Sequence, residues 1–187
     1  SSKGEIFCKM NLPEEITNHK NKNKKFRKVF ENSAHGIDML LYLFGKLDIQ
    51  NISKIKLNSF DSGRIVTFLN KNKHTCLLII NSNSPSNFSL ELENGEQRLL
   101  LKPFEKYELY QGMKINAATT QYPIKKYSPN LIESKSIFDY ENTNKNLKPG
   151  FYEQTFEFLN LIKNKRKGIA ANLTDAYHVQ KILEKIM

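Results

Sequence analysis

The chain has no tryptophan and only two cysteines, Cys8 and Cys76. Two cysteines in separate apolar runs make no disulfide framework, so a reducing cytoplasm is the simplest expected compartment. No stretch approaches the roughly 18 uninterrupted apolar residues of a membrane helix, which excludes a helical span. No basic segment followed by an apolar one opens the chain, so no secretory leader is expected in it. It begins Ser1-Ser2-Lys3-Gly4 rather than with Met, which fits a piece of a longer protein. Glycine is also sparse: the eight glycines stand at 4, 36, 45, 63, 95, 112, 150 and 168. None of these positions makes a G-x-G-x-x-G turn or a P-loop, so the chain is expected to carry no dinucleotide or triphosphate cradle. A G-x-S-x-G elbow and an H-E-x-x-H metal site are absent as well.

Arginine is the other scarcity. Lys plus Arg total 29 against 19 Asp plus Glu, a net charge of +10, but only Arg27, Arg64, Arg98 and Arg166 are arginines. Arginine dominates base and bidentate phosphate readout, so a lysine-borne excess is weak support for nucleic-acid binding. A non-catalytic basic module that binds nucleic acid or an acidic partner is the rival reading.

What is present is enough for a core. The chain has 187 residues, of which 39% are hydrophobic and 11% aromatic. At about 150 residues per domain, one domain is expected. Residues 4–10 read as a strand and 17–28 as a solvated basic loop. Over 31–44, Ile37, Leu40, Leu41 and Phe44 recur at helical spacing and Gly45 stands at the cap position. From 50 to 116, short runs rich in Ile, Leu, Phe and Tyr alternate with Gly, Asn, Ser and Pro. They predict a largely antiparallel meander of roughly six strands, with Asn94-Gly95 as a hairpin turn. Residues 117–149 have little periodicity and read as a long excursion. Two helices close the chain. The first carries a stripe of Phe151, Thr155, Phe158 or Leu159, and Ile162. The second starts from a cap in Leu173-Thr174-Asp175 and carries Ala176, Val179, Leu183 and Ile186. The expected class is α+β: an open, mostly antiparallel sheet with helices packed on one face. Ile55, Leu57, Leu78, Ile80, Leu90 and Leu92 take alternate positions and are expected to cover the open face, which must meet solvent, another domain or another subunit.

Chemistry concentrates in Glu31-Asn32-Ser33-Ala34-His35-Gly36-Ile37-Asp38. Glu31 and His35 are four residues apart and share a helix face. A carboxylate there can orient an imidazole and raise its basicity, which suits general acid–base work near neutral pH. The alternative is a polar histidine near a helix N-terminus, with Glu31 favourable to the dipole. His19 and His178 read as solvent-facing or packing residues. His74 opens a strand without a metal-ligand partner.

The order Glu31-x-x-x-His35-x-x-Asp38-x-Leu40-Leu41-x-x-Phe44-Gly45 resembles the signature that follows the dinucleotide domain in the glucose–fructose oxidoreductase / inositol dehydrogenase (Gfo/Idh/MocA) family, where Asp is usual in place of Glu31. Two tail segments are similar to the family's last two helices: Lys148-Pro149-Gly150-Phe151-x-x-Gln154-x-x-x-Phe158-Leu159 and Ala170-Ala171-Asn172-Leu173-Thr174-Asp175-Ala176-Tyr177. The resemblance covers nearly all of residues 4–187 and only the family's C-terminal half. It implies a dihydrodipicolinate-reductase-like C-terminal domain for substrate binding and oligomerisation, from a sugar or sugar-nucleotide oxidoreductase. It implies that NAD or NADP is held mainly by an N-terminal Rossmann domain absent from this chain, so that the chain is inactive alone. His35 would then move the proton of a sugar hydroxyl or carbonyl, with Glu31 assisting. Lys24, Lys25 or Arg27 would meet an anionic sugar nucleotide.

Overall fold

A computed structural model describes residues 4–14, 31–57, 60–82, 84–136, 150–164 and 171–187, apart from the side chains of Glu31, Leu57, Phe60, Asp61 and Asn164. Along the chain come β1 (Phe7–Glu14), α1 (Glu31–Phe44), β2 (Asp48–Leu57), β3 (Phe60–Leu69), β4 (Thr75–Ser82), β5 (Ser89–Glu93), β6 (Gln97–Leu101), β7 (Lys106–Asn116), β8 (Lys126–Ser136), α2 (Phe151–Asn164) and α3 (Leu173–Ile186). This is the expected α+β class. The strands form one eight-stranded sheet in the order β2-β3-β4-β1-β5-β6-β7-β8. Every neighbouring pair is antiparallel except β1 and β4, which run parallel with Cys8 opposite Cys76.

The core follows from the two-residue period of the strands. Cys8, Met10 and Leu12 of β1, Val66 and Phe68 of β3, and Cys76, Leu78 and Ile80 of β4 point to one face and are buried. Ile37 and Leu40 of α1 close over them, and Val179, Leu183 and Ile186 of α3 complete the cluster. Gly36 lets α1 come close to β1. A Cβ at that position would stand 2.3 Å from Leu12 Cδ1 and 3.0 Å from Met10 Sδ. Gly45 ends α1 as its spacing predicts: its φ is +70° and its N–H donates to the Leu41 carbonyl at 2.8 Å. The Asn94-Gly95 hairpin also forms, and Asn94 Oδ1 accepts from the N–H groups of Glu96 and Gln97 at 3.1 and 2.8 Å.

Several expectations are corrected. Residues 126–136, inside the supposed excursion, are strand β8, paired with β7 at the sheet's edge. Its side chains are nearly all exposed, so it has no burial alternation to betray it. The meander is interrupted, because β1 is inserted between β4 and β5. Leu78, Ile80 and Leu90 do not cover the open face; they lie in the core under the helices. The open face carries their neighbours: Ile65 opposite Ile79, and Thr67 opposite Leu77. Toward β7 that face turns polar. Arg98 pairs with Glu91, stands 3.6 Å from Glu93 and lies over the Tyr110 ring. Lys106 and the Tyr110 hydroxyl donate to Glu108 and hold its carboxyl below the usual value. The cap of α3 is Asn172, one residue earlier than expected. Its side chain accepts from Thr174 and Asp175, and Asp175 accepts from the Asn172 N–H. Ala176 is exposed and stands outside the buried stripe. In α2 the predicted stripe is present but open: Phe151, Phe158, Leu159 and Ile162 are all exposed. Among the described residues, no helix is long and apolar enough to cross a membrane.

Candidate functional site

The first turn of α1 is built from a distance. The acceptor for its N–H groups comes from the end of β1. Glu14 continues the inward register of Cys8, Met10 and Leu12 and is only 3% exposed. Its Oε1 accepts from the Ser33 N–H at 2.5 Å and the Ser33 hydroxyl at 2.7 Å, and its Oε2 accepts from the Asn32 N–H at 3.2 Å. A carboxylate is favourable at a helix N-terminus, and the hydrogen bonds offset the cost of burying it.

One face of α1 is thereby committed to the core, and His35 lies on the exposed flank. That flank meets α3 across a groove of about 920 Å³. His35, Asp38, Met39 and Tyr42 line it from α1, and Asp175, His178, Lys181 and Lys185 from α3; Lys46 and Leu47 line it from the segment between α1 and β2. Some of the polar groups are already engaged. Asp175 belongs to the α3 cap, and Lys181 pairs with Glu184 at 3.3 Å. The Glu184 carboxylate raises Lys181 above the ordinary lysine value. Lys46 stands 3.9 Å from Asp48. His35, Asp38 and Lys185 make no hydrogen bond or ion pair with another described residue. An unengaged imidazole, a carboxylate three residues on, and an ammonium on the opposite wall leave donors and acceptors free for a polar ligand.

His35 and Asp38 are thus brought together in one groove. Lys24, Lys25 and Arg27 lie outside the described residues, as does the Glu31 side chain; only the backbone of Glu31, which opens α1, is described. His19 is also outside them. His74 has a structural role: its Nδ1 accepts from the Ile6 N–H at 3.1 Å and its ring packs edge-on to Phe44. Sequence reasoning missed Glu14; His178, read as a solvent-facing or packing residue, is exposed on α3 and lines the groove. The i, i+3 pair Asp175 and His178 on a capped helix was a visible signal for the second wall of the groove. No group of His, Cys, Asp and Glu among the described residues could hold a metal ion.

At the starts of α1 and α3 the N–H groups that could meet an anion are already taken: Glu14 accepts from Asn32 and Ser33, and the Asn172 side chain accepts from Thr174 and Asp175.

No family model and no curated protein matches the chain. Solved structures do. A dehydrogenase (MviM) from Clostridium difficile superimposes with a TM-score of 0.65 at 16% identity, covering 97% of this chain and 54% of that one. UDP-N-acetylglucosamine 3-dehydrogenase GnnA from Acidithiobacillus ferrooxidans gives 0.60 at 8% identity, covering 95% and 51%. Levoglucosan dehydrogenase in complex with NADH gives 0.62 at 14%, covering 98% and 56%. The fold is that of the C-terminal domain of Gfo/Idh/MocA-type dehydrogenases. The chain spans about half the length of these structures.

Proposed function

We propose that the chain is the substrate-binding domain of an NAD(P)-dependent oxidoreductase acting on a sugar or sugar nucleotide. The observation that carries this reading is the groove between α1 and α3, with His35 and Asp38 on its wall and neither in a hydrogen bond or ion pair with another described residue. Its volume of about 920 Å³ is in the range of small-molecule sites. Mixed donors and acceptors suit a polyhydroxylated ligand. Two of the similar structures, UDP-N-acetylglucosamine 3-dehydrogenase and levoglucosan dehydrogenase, support the same chemistry by their names.

In this reading His35 exchanges a proton with the ligand hydroxyl or carbonyl that reacts. Asp38 accepts from a neighbouring hydroxyl, and Glu31 assists His35 from one turn earlier. Lys24, Lys25 and Arg27 contribute if the ligand carries phosphate. The redox chemistry is the cofactor's. NAD or NADP is held mainly by a dinucleotide-binding domain outside this chain, and the chain alone is inactive. Copies of the chain pair through the open sheet face, around Ile65, Leu77 and Ile79.

The test has two arms. Titration of the chain with UDP-N-acetylglucosamine or a free sugar, followed by NMR, should move the ring signals of His35 and His178. In the intact enzyme, His35→Ala should lower kcat by roughly 10²–10⁴-fold, the range for a lost general acid–base. Wild-type turnover at saturating substrate would return His35 to a polar surface residue.

A further inference from the structure

We infer that Glu14 is the positioning residue for His35: the buried carboxylate ending β1 fixes the first turn of α1, and the imidazole leaves the helix at the start of the next. Its functional meaning rests on the role proposed above for His35.

Register is the first argument. In β1 the inward positions are Cys8, Met10, Leu12 and Glu14. The first three are apolar and the fourth is a carboxylate, equally buried. An ionisable group at a core position is strongly unfavourable unless its hydrogen bonds are made. Here both carboxylate oxygens are used, and among the described residues their partners are two consecutive residues of α1, Asn32 and Ser33.

The cap also comes from far away in sequence. Glu14 provides what an N-cap residue ordinarily provides, from 18 and 19 residues away. It fixes the helix to the central strand of the sheet.

The third argument is bracketing. His35 lies between two contacts with β1. Two residues before it, Ser33 is held by Glu14; one residue after it, Gly36 is seated against Leu12 and Met10. A helix held on both sides of one residue sets where that residue's side chain leaves the backbone. The position of His35 on the groove wall is therefore dictated by β1.

The test uses the 187-residue chain with isotope-labelled histidine, and Glu14→Gln, which keeps the shape and removes the charge. Exchange of the Ser33 amide should accelerate by roughly 3- to 30-fold, the range expected when a helix cap is lost. The His35 ring signals should shift or broaden, while those of His74 and His178 stay in place. An unchanged His35 ring overturns the inference, and so does movement of His35, His74 and His178 together, which would report general loosening. Should Glu14→Gln fail to fold, Ser33→Ala removes only the hydroxyl bond and is read the same way. Neither readout needs turnover, so failure here is separable from failure of His35→Ala to impair the enzyme.

Discussion

Arg64 of β3 and Ile186 at the end of α3 are joined across 122 residues: the guanidinium Nε donates to the Ile186 carbonyl at 3.0 Å. The same side chain reaches the Met187 main-chain oxygen at 3.3 Å and its neighbour Gly63 at 2.9 Å, and it is 3% exposed. A cation at a helix C-terminus satisfies carbonyls that the helix leaves open. The second wall of the groove is thus tied to the sheet at its far end.

Arg64→Met should cost about 2–3 kcal/mol, the range for hydrogen bonds to a charged group, and should speed amide exchange over the last turn of α3. Urea denaturation and hydrogen exchange check it. Unchanged protection in that turn would show that apolar packing by Val179, Leu183 and Ile186 holds α3 without help.

Gly36→Ala tests the close approach of α1 to β1. The added methyl would overlap Leu12 Cδ1, which is 1% exposed and has little room to move. Overpacking of this kind costs about 1–3 kcal/mol, even though alanine is the better helix former. A stabilised variant would mean that Leu12 repacks freely.

Much of this was legible in the sequence, and the failures have physical causes. The Asn94-Gly95 turn and the Gly45 cap could be read directly, because each depends on a few adjacent residues. The alternation in β4 was legible too, but a period of two defines two faces and does not say which one the helices cover. Both carry apolar residues here, Leu78 and Ile80 on one and Leu77 and Ile79 on the other, so the choice went the wrong way. Strand β8 has neither face in the core. The insertion of β1 beside β4 and β5 leaves no local trace, because those pairings join residues far apart in the chain. Glu14 escaped notice for the same reason: its partners are in space, not in sequence. His35 stood out because its neighbours on the helix carry the pattern.

Cys8 and Cys76 should be inert in the folded chain. They face each other across β1 and β4, both fully buried and both free. Its hydrogen bond with Cys76, and then burial, push the Cys8 thiol up, so the reactive thiolate is not formed. Iodoacetamide at about pH 8, near the ordinary thiol value, should label neither until denaturant is added. The sign for stability follows from the raised value. The contribution is complete below the unfolded thiol's pKa of about 8.5 and is lost as pH rises above it. Rapid labelling of the native chain would contradict both statements.

The open sheet face should decide association. Ile79→Lys puts a charge opposite Ile65 in the apolar part of that face without touching the buried register. If copies pair there, sedimentation should show a dimer for the parent chain and a monomer for the variant. A parent chain that stays monomeric at high concentration would remove this face from consideration.

The placement of β1 has a consequence for how the sheet is assembled. A meander can be laid down strand by strand, each new strand finding the previous one as its template. This sheet cannot be completed in that way. Strand β1 comes first in the chain, yet Phe7 waits for Thr75 on one side and Glu93 on the other. Until both arrive, β2-β3-β4 and β5-β6-β7-β8 are two unconnected patches, and β1 is the seam that joins them. Closing loops of that span is slow compared with forming hairpins. The rate-limiting event in folding should therefore be the capture of the first strand by the middle of the chain, and a peptide spanning residues 4–14, supplied separately, should be able to complete a chain that lacks it.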